Sequence, residues 1–150
     1  MLAASATVEP AAAADAAAIV DLLQRAGLPS ADLNPAALRD FWVVRDGDHV
    51  VGTVGLEVHG GDGLLRSLAV APVARGRGLG RALVTAVEQQ ARAQGLHSLT
   101  LLTQTAAPFF AALGYGAVAR NTVDAALQVS PQFTSLCPAS ASCLRKFFTR

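Results

Sequence analysis

The sequence predicts an α/β (α+β) fold, a mixed central sheet of about six to seven strands flanked by helices. Two observations carry this. Runs rich in apolar and β-branched residues at Phe41–Arg45, His49–His59 and Leu64–Val70 follow one another with only turn residues between them, the pattern of antiparallel neighbours. The last of these runs straight into an Arg/Gly loop and a long helical pattern, beyond which Ser98–Thr103 is again β-rich. A strand, helix, strand crossover of this kind lays its two strands parallel.

In chain order, Thr7–Pro10 is a short first strand. Ala14–Ala26 reads as a helix because Ala18, Ile19, Leu22, Leu23 and Ala26 share one face, and Gly27 and Pro29 end it. Ser30–Asp40, with Pro35 and several polar side chains, reads as a loop with a helical turn near Ala36–Arg39. Asp46-Gly47-Asp48 joins the next two strands, and Gly60-Gly61-Asp62-Gly63 is a second turn before Leu64. Leu79, Ala82, Leu83, Ala86, Val87 and Ala91 recur at helical spacing, with Arg81, Glu88, Gln89 and Arg92 on other faces, and Gly95 closes that helix. Thr105 then caps a short helix to Leu113, with Pro108 tolerated in its first turn and Gly114 at its end. Tyr115–Ala119 is the next strand, and the stretch from 120 to Pro138 reads as loop without a motif.

The segment Leu64–Arg81, LLRSLAVAPVARGRGLGR, points to a phosphorylated ligand. Gly76, Gly78 and Gly80 let the backbone turn tightly and approach a ligand with no Cβ in the way. The helix that follows aims its free N–H groups and positive dipole end at the same spot. Arg75, Arg77 and Arg81 add charge that pairs bidentately with phosphate oxygens. The segment lacks the Lys and hydroxyl of a P-loop, and its G-x-G-x-G spacing is not the G-x-G-x-x-G of a dinucleotide fold. It does contain R-x-x-G-x-G (Arg75, Gly78, Gly80) after a strand ending in V-x-P (Val70-Ala71-Pro72). With the amphipathic helix behind it, that order resembles the pyrophosphate loop of the GNAT family of N-acetyltransferases. The resemblance covers essentially the whole chain, is densest from Leu64 to Tyr115, and implies a last strand near Cys143–Phe147.

What the resemblance implies is a single acetyltransferase domain over residues 1–150, whose splayed parallel strands form a cleft for acetyl-CoA as co-substrate, with a small-molecule amine as acceptor. Leu68, Ala69 and Val70 then supply backbone contacts to pantetheine and thioester, and Arg75, Gly76, Arg77, Gly78, Leu79, Gly80 and Arg81 hold the pyrophosphate. Thr103, Gln104, Thr105, Phe109 and Phe110 complete the cleft. Many members read F-Y-x-x-L-G-F, the tyrosine being placed to protonate the departing thiolate. Here Phe110 stands at the acid's place without a proton to give. Tyr115 is the remaining phenol, a candidate acid whose alternative is a core aromatic.

Aminolysis of a thioester needs a neutral amine, and so a proton acceptor. Glu57, on a predicted strand with Thr53, Gly55 and His59 on the same face, is the candidate base; the alternative is a salt bridge to Arg66 on the neighbouring strand. Ser67 adds a hydroxyl able to orient a water.

A narrower resemblance lies in the tail. Leu136–Cys143 (LCPASASC), with LLRSLAVAP and TAAPFFAALGY, is similar to the arsenic-resistance N-acetyltransferases within that family. Cys137 and Cys143 then either grip a thiophilic metalloid or pack in the core. The rival to an enzyme is thus a non-catalytic protein that binds CoA or, through these thiols, a metalloid. Two cysteines make no disulfide scaffold, and His49, His59 and His97 lack ligand spacing around them, so no metal is expected.

A net charge of +1 argues against nucleic acid or a membrane surface as partner. Between Leu64 and Gln94, however, Arg66, Arg75, Arg77, Arg81 and Arg92 face only Glu88, a local field suited to CoA. No run approaches the ~18 apolar residues of a membrane span. The start of the chain carries Glu9 and Asp15 in place of the basic flank of a secretory signal, so a cytoplasmic monomer or homodimer is expected.

Overall fold

The structure, a computed structural model, describes residues 7–137 and 140–148. Its strands are β1 (Val8–Pro10), β2 (Phe41–Asp46), β3 (His49–His59), β4 (Asp62–Val70), β5 (Ser98–Thr103), β6 (Gly116–Ala117) and β7 (Ser142–Phe147). They form a seven-stranded sheet in the order β1-β2-β3-β4-β5-β7-β6. Helices are α1 (Ala16–Arg25), α2 (Leu79–Ala93), α3 (Ala107–Ala112) and α4 (Ala125–Gln128). The chain gathers into two compact units, Met1–Leu56 with Ser67–Glu88 and Glu57–Arg66 with Gln89–Arg150.

In the first unit β1, β2 and β3 are antiparallel, with Val8 opposite Val44 and Val43 opposite Thr53. Alternation along β3 sends successive residues to opposite faces. A Cβ on Gly52 would press Leu83 of α2 at 3.2 Å, while one on Gly55 would collide with the Phe41 ring. Both glycines therefore leave room for a large neighbour, on opposite sides of one strand. On the Phe41 side, Ile19, Leu22 and Leu23 of α1 pack with Leu38, Val43 and Ala69. The expected turn near Ala36–Arg39 is a 3-10 turn at Pro35–Leu38, capped by the Asn34 side chain, which accepts from Ala37 N–H at 3.0 Å.

A charged clasp ties this unit's start to β2. Arg45 donates both Nη atoms to the Asp15 carboxylate at 2.7 Å and its Nε to Glu9. The Arg45 hydrogen bond holds the Asp15 carboxyl below 3.8. A carboxyl lowered by folding contributes stability that is complete above its unfolded value and is lost as pH falls through the folded one. Arg45→Met is therefore expected to lower unfolding free energy by about 2 kcal/mol at pH 7. The difference from wild type should shrink as pH falls below 3.8, as urea melts at several pH values would show.

In the second unit, β4 and β5 are parallel from Asp62↔Ser98 to Leu64↔Thr100, and both strands continue past that ladder. β7 runs antiparallel to β5 from Ser98↔Phe147 to Thr103↔Ser142, and β6 adds to its other side. Leu64, Val123, Leu127 and Cys143 form the local core.

Four sequence expectations are corrected here. Asp62 and Gly63 belong to β4, not to the turn, because the Asp62 carboxylate is fully buried among Ser98, Thr100 and Arg145. Thr105 does not cap α3; Ala106 precedes the helix, and its N–H donates to the Thr103 hydroxyl at 3.0 Å. The strand expected at Tyr115–Ala119 shrinks to Gly116–Ala117, Tyr115 being drawn into the end of α3. The stretch after 120 is not plain loop: it holds a 3-10 turn at Arg120–Thr122, α4, and a wide turn at Gln132–Leu136. Pro138 and Ala139 of the tail motif lie outside the described residues.

Candidate functional site

β4 leaves regular geometry where the predicted cofactor contacts begin. Ser67 has φ +60°, the one non-glycine residue with positive φ among the described residues. A left-handed residue inside a strand turns the groups that follow it. Leu68 and Val70 are half-buried and Ala69 is buried against the α1 core. The Val70 carbonyl accepts from Nε of Arg75 at 3.1 Å, and Ala71 N–H donates to the Val51 carbonyl at 2.8 Å.

After a 3-10 turn at Pro72–Ala74, whose Ala74 is fully buried, the chain enters the glycine loop. Gly76 (φ +80°) and Gly78 (φ +75°) are both left-handed, and a Cβ on either would meet nothing within 4 Å. Backbone conformation, not crowding by the protein, requires glycine here. Gly80, expected to share that role, lies instead in the first turn of α2. The Gly78 carbonyl accepts from Ala82 N–H at 3.1 Å, so α2 begins directly behind the left-handed pair, with the N–H groups of its first turn lacking helical partners. Arg75, Arg77 and Arg81 are exposed around it. Orphan donors, a helix dipole and three guanidinium side chains at one bend are the chemistry that binding a polyanion asks for.

The remaining residues predicted for the site fall in the second unit. Thr103 is half-buried with its hydroxyl engaged by Ala106 N–H, Gln104 and Thr105 are exposed, and Phe109 is 38% exposed. Phe110 is buried, edge-on to both Phe109 and Tyr115. α3 ends with Tyr115 N–H donating to the Phe110 carbonyl and Gly114 N–H to that of Ala111, both at 3.1 Å, with Gly114 at φ +97°. This is the paired closure in which the residue past the glycine packs on the last turn. Tyr115 is that residue: its ring meets Phe110 at 5.6 Å between centroids, and it is 3% exposed.

Glu57 has the predicted salt bridge and a second partner. Its Oε2 accepts from Nη1 of Arg66 at 2.6 Å, and its Oε1 meets Nε2 of His59 at 2.8 Å. The sequence placed His59 on the Glu57 face without giving it a role; the two-residue spacing along a strand was the available signal. Burial pushes the Cys143 thiol up, and Cys137 donates its S–H to Oε1 of Gln132 at 3.0 Å. Among the described residues no group of three or more His, Cys, Asp or Glu is arranged to hold a metal ion, and no helix is long and apolar enough to cross a membrane.

A model of the acetyltransferase (GNAT) domain matches residues 37–116, from the end of the turn before β2 to the start of β6. The chain belongs to the GNAT family. Among curated relatives, an IAA acetyltransferase of Azospirillum brasilense is 40% identical over 76 residues, 48% of this chain and 50% of that one. N-acetyltransferase 8B of Rattus norvegicus is 41% identical over 85 residues, 50% of this chain and 38% of that one. The chain thus spans about half or less of the length of these relatives. In fold, it is similar to the Mycobacterium tuberculosis protein Rv2747 in complex with CoA, with a TM-score of 0.79 at 25% identity over 95% of this chain and 99% of that one. It also matches the fold of N-acetylglutamate synthase from Neisseria gonorrhoeae, with a TM-score of 0.85 at 18% identity over 99% of this chain and 36% of that one.

Proposed function

We propose that residues 1–150 act as one domain that transfers acetyl from acetyl-CoA directly to the amine of a small molecule. The observation that carries this is the bend at Gly76 and Gly78, where two left-handed glycines, the start of α2 and three exposed arginines come together directly after β4. The nucleotide pyrophosphate is held there by Arg75, Arg77, Arg81 and the N–H groups of Leu79 to Arg81, while main-chain groups of Leu68 to Val70 hold the pantetheine and polarise the thioester. Arg75 has to leave the Val70 carbonyl to meet a phosphate oxygen, which couples loop and strand. Similarity to N-acetyltransferase 8B supports nitrogen as the acetyl acceptor.

Catalysis in this reading rests on proximity and carbonyl polarisation. Phe110 has no proton to offer the sulfur, and Tyr115 is packed at the close of α3. The leaving thiolate then takes its proton from the attacking nitrogen. Cys143 lies in the core with its thiol pushed up by burial, so no acyl-enzyme is invoked. The burial of Cys143 opposes the soft-ligand role that an arsenic-linked function would ask of the pair, the half-buried Cys137 has its S–H on Gln132, and we read both as structural residues.

Thiol release from acetyl-CoA in the presence of a panel of small primary amines tests the reading, with CoA affinity measured by calorimetry alongside. Turnover of at least one amine is expected. CoA binding with no turnover would favour the second reading, a non-catalytic CoA-binding protein, for which Phe110 in place of an acid is the specific support.

A further inference from the structure

One arginine of the glycine loop reaches back to the strand before it. The peptide between Val70 and Ala71 is trans, so its C=O and N–H point in opposite directions. Ala71 N–H donates to the Val51 carbonyl of β3 at 2.8 Å, which turns the Val70 carbonyl away from β3, to the other side of β4. There it accepts from Nε of Arg75, five residues along the chain, at 3.1 Å. The 3-10 turn between them folds the chain back: Ala74 N–H donates to the Ala71 carbonyl at 2.9 Å and Arg75 N–H to that of Pro72 at 3.3 Å.

Arg75 differs in this from the other two arginines at the bend. The side chains of Arg77 and Arg81 make no hydrogen bond or ion pair among the described residues, so their charge belongs to the loop alone. Arg75 is exposed and held to the strand by one bond to a neutral carbonyl. A diphosphate at the loop offers the same guanidinium two charged oxygens, and charge-assisted, bidentate pairing is the stronger bond.

We propose that Arg75 is a specificity-determining residue: its guanidinium covers the Val70 carbonyl, a diphosphate draws it off, and β4 thereby favours CoA thioesters over thioesters that lack the nucleotide. This rests on the acetyltransferase reading, in which main-chain groups of Leu68 to Val70 hold the pantetheine. An amide N–H of pantetheine and Nε of Arg75 contend for one oxygen on the side of β4 that β3 leaves open. Where diphosphate and pantetheine belong to one molecule, the first clears the place for the second. A pantetheine thioester by itself, or one carried on a protein through a single phosphate, brings no diphosphate and meets the covered carbonyl.

The test uses the full chain, an amine that the wild type turns over, and two donors, acetyl-CoA and acetyl-pantetheine. ADP supplies a diphosphate apart from the pantetheine. In the wild type, ADP at concentrations that displace CoA is expected to raise kcat/KM for acetyl-pantetheine about 10-fold, the scale of one charge-assisted hydrogen bond. Arg75→Met lacks the cover and should reach that higher rate without ADP and show no response to it. Its affinity for CoA, read by calorimetry, should fall about 10-fold with the loss of a phosphate contact. Opposite changes with the two donors are a result that plain damage to the loop does not give. Arg75→Gln carries a neutral N–H donor as many bonds from Cα as Nε is, so it should keep the cover, stay slow with acetyl-pantetheine and lose the response to ADP. A wild type that turns over acetyl-CoA and shows no ADP response, or an Arg75→Met protein slowed alike with both donors, would overturn the assignment. A wild type that binds CoA and acetylates no amine would instead sink the acetyltransferase reading.

Discussion

Gly78→Glu is expected to weaken CoA binding by at least about 1,000-fold while the protein stays folded, because a like charge set against a ligand's own costs several kcal/mol. The position separates the two effects well. A Cβ at Gly78 meets no atom within 4 Å, so a side chain has room on the protein side and nothing in the core must shift. What folding loses is the ease of a φ of +75°, about 1–2 kcal/mol for a residue with a Cβ. Gly78→Ala suffers that strain without the charge and serves as the control: its melting temperature should fall as far as that of the Glu variant, its CoA affinity much less. Calorimetric titration of both with CoA decides the matter. Unchanged affinity in a folded Gly78→Glu protein would remove the loop from the site and with it the basis of the proposed function.

That loop was legible in the sequence because its chemistry is local. The V-x-P strand end, the R-x-x-G-x-G spacing and the helix behind it all lie within Leu64–Arg81, and the left-handed Gly76 and Gly78 and the exposed Arg75, Arg77 and Arg81 stand where that spacing puts them. Only Gly80 differs, since the helix takes it in its first turn. The Glu57–Arg66 pair was legible too, through the alternation of strand faces. What escaped was set by partners far along the chain. Gly-Gly-Asp-Gly has the composition of a turn, and nothing near it announces that Ser98, Thr100 and Arg145 will draw Asp62 into the interior. Tyr115 reads as a strand residue until Gly114 closes α3 and folds it back on Phe110. The elements between residues 120 and 136 are one turn each, too short to show a period.

Asp62 carries the other large expectation: Asp62→Ala should lower the unfolding free energy by about 4 kcal/mol, the scale of breaking a buried ion pair from one side. Its carboxylate is fully buried, takes hydrogen bonds from Ser98 at 2.9 Å and Thr100 at 3.1 Å, and pairs with Nη2 of Arg145 at 3.0 Å. Removing it takes the acceptor from the Thr100 hydroxyl and leaves Ser98 with His97 Nδ1 at 2.7 Å, while the buried guanidinium keeps Asp124 at 3.4 Å as its carboxylate partner among the described residues. Asp62→Asn keeps an acceptor for both hydroxyls and should lose much less. The pH dependence distinguishes a charge effect from a packing one. Burial raises the Asp62 carboxyl above 3.8, against the opposing pull of Ser98, Arg145 and Thr100. A carboxyl raised by folding contributes stability that is present in acid and lost as pH rises through the folded value. The advantage of wild type over Asp62→Asn should therefore narrow as pH climbs from 3.8, whereas a packing difference would be the same at every pH. Urea unfolding of the three proteins across that range measures both quantities. An Asp62→Ala loss below about 1 kcal/mol would mean that this network does not hold the parallel ladder between β4 and β5, which runs from Asp62↔Ser98 to Leu64↔Thr100.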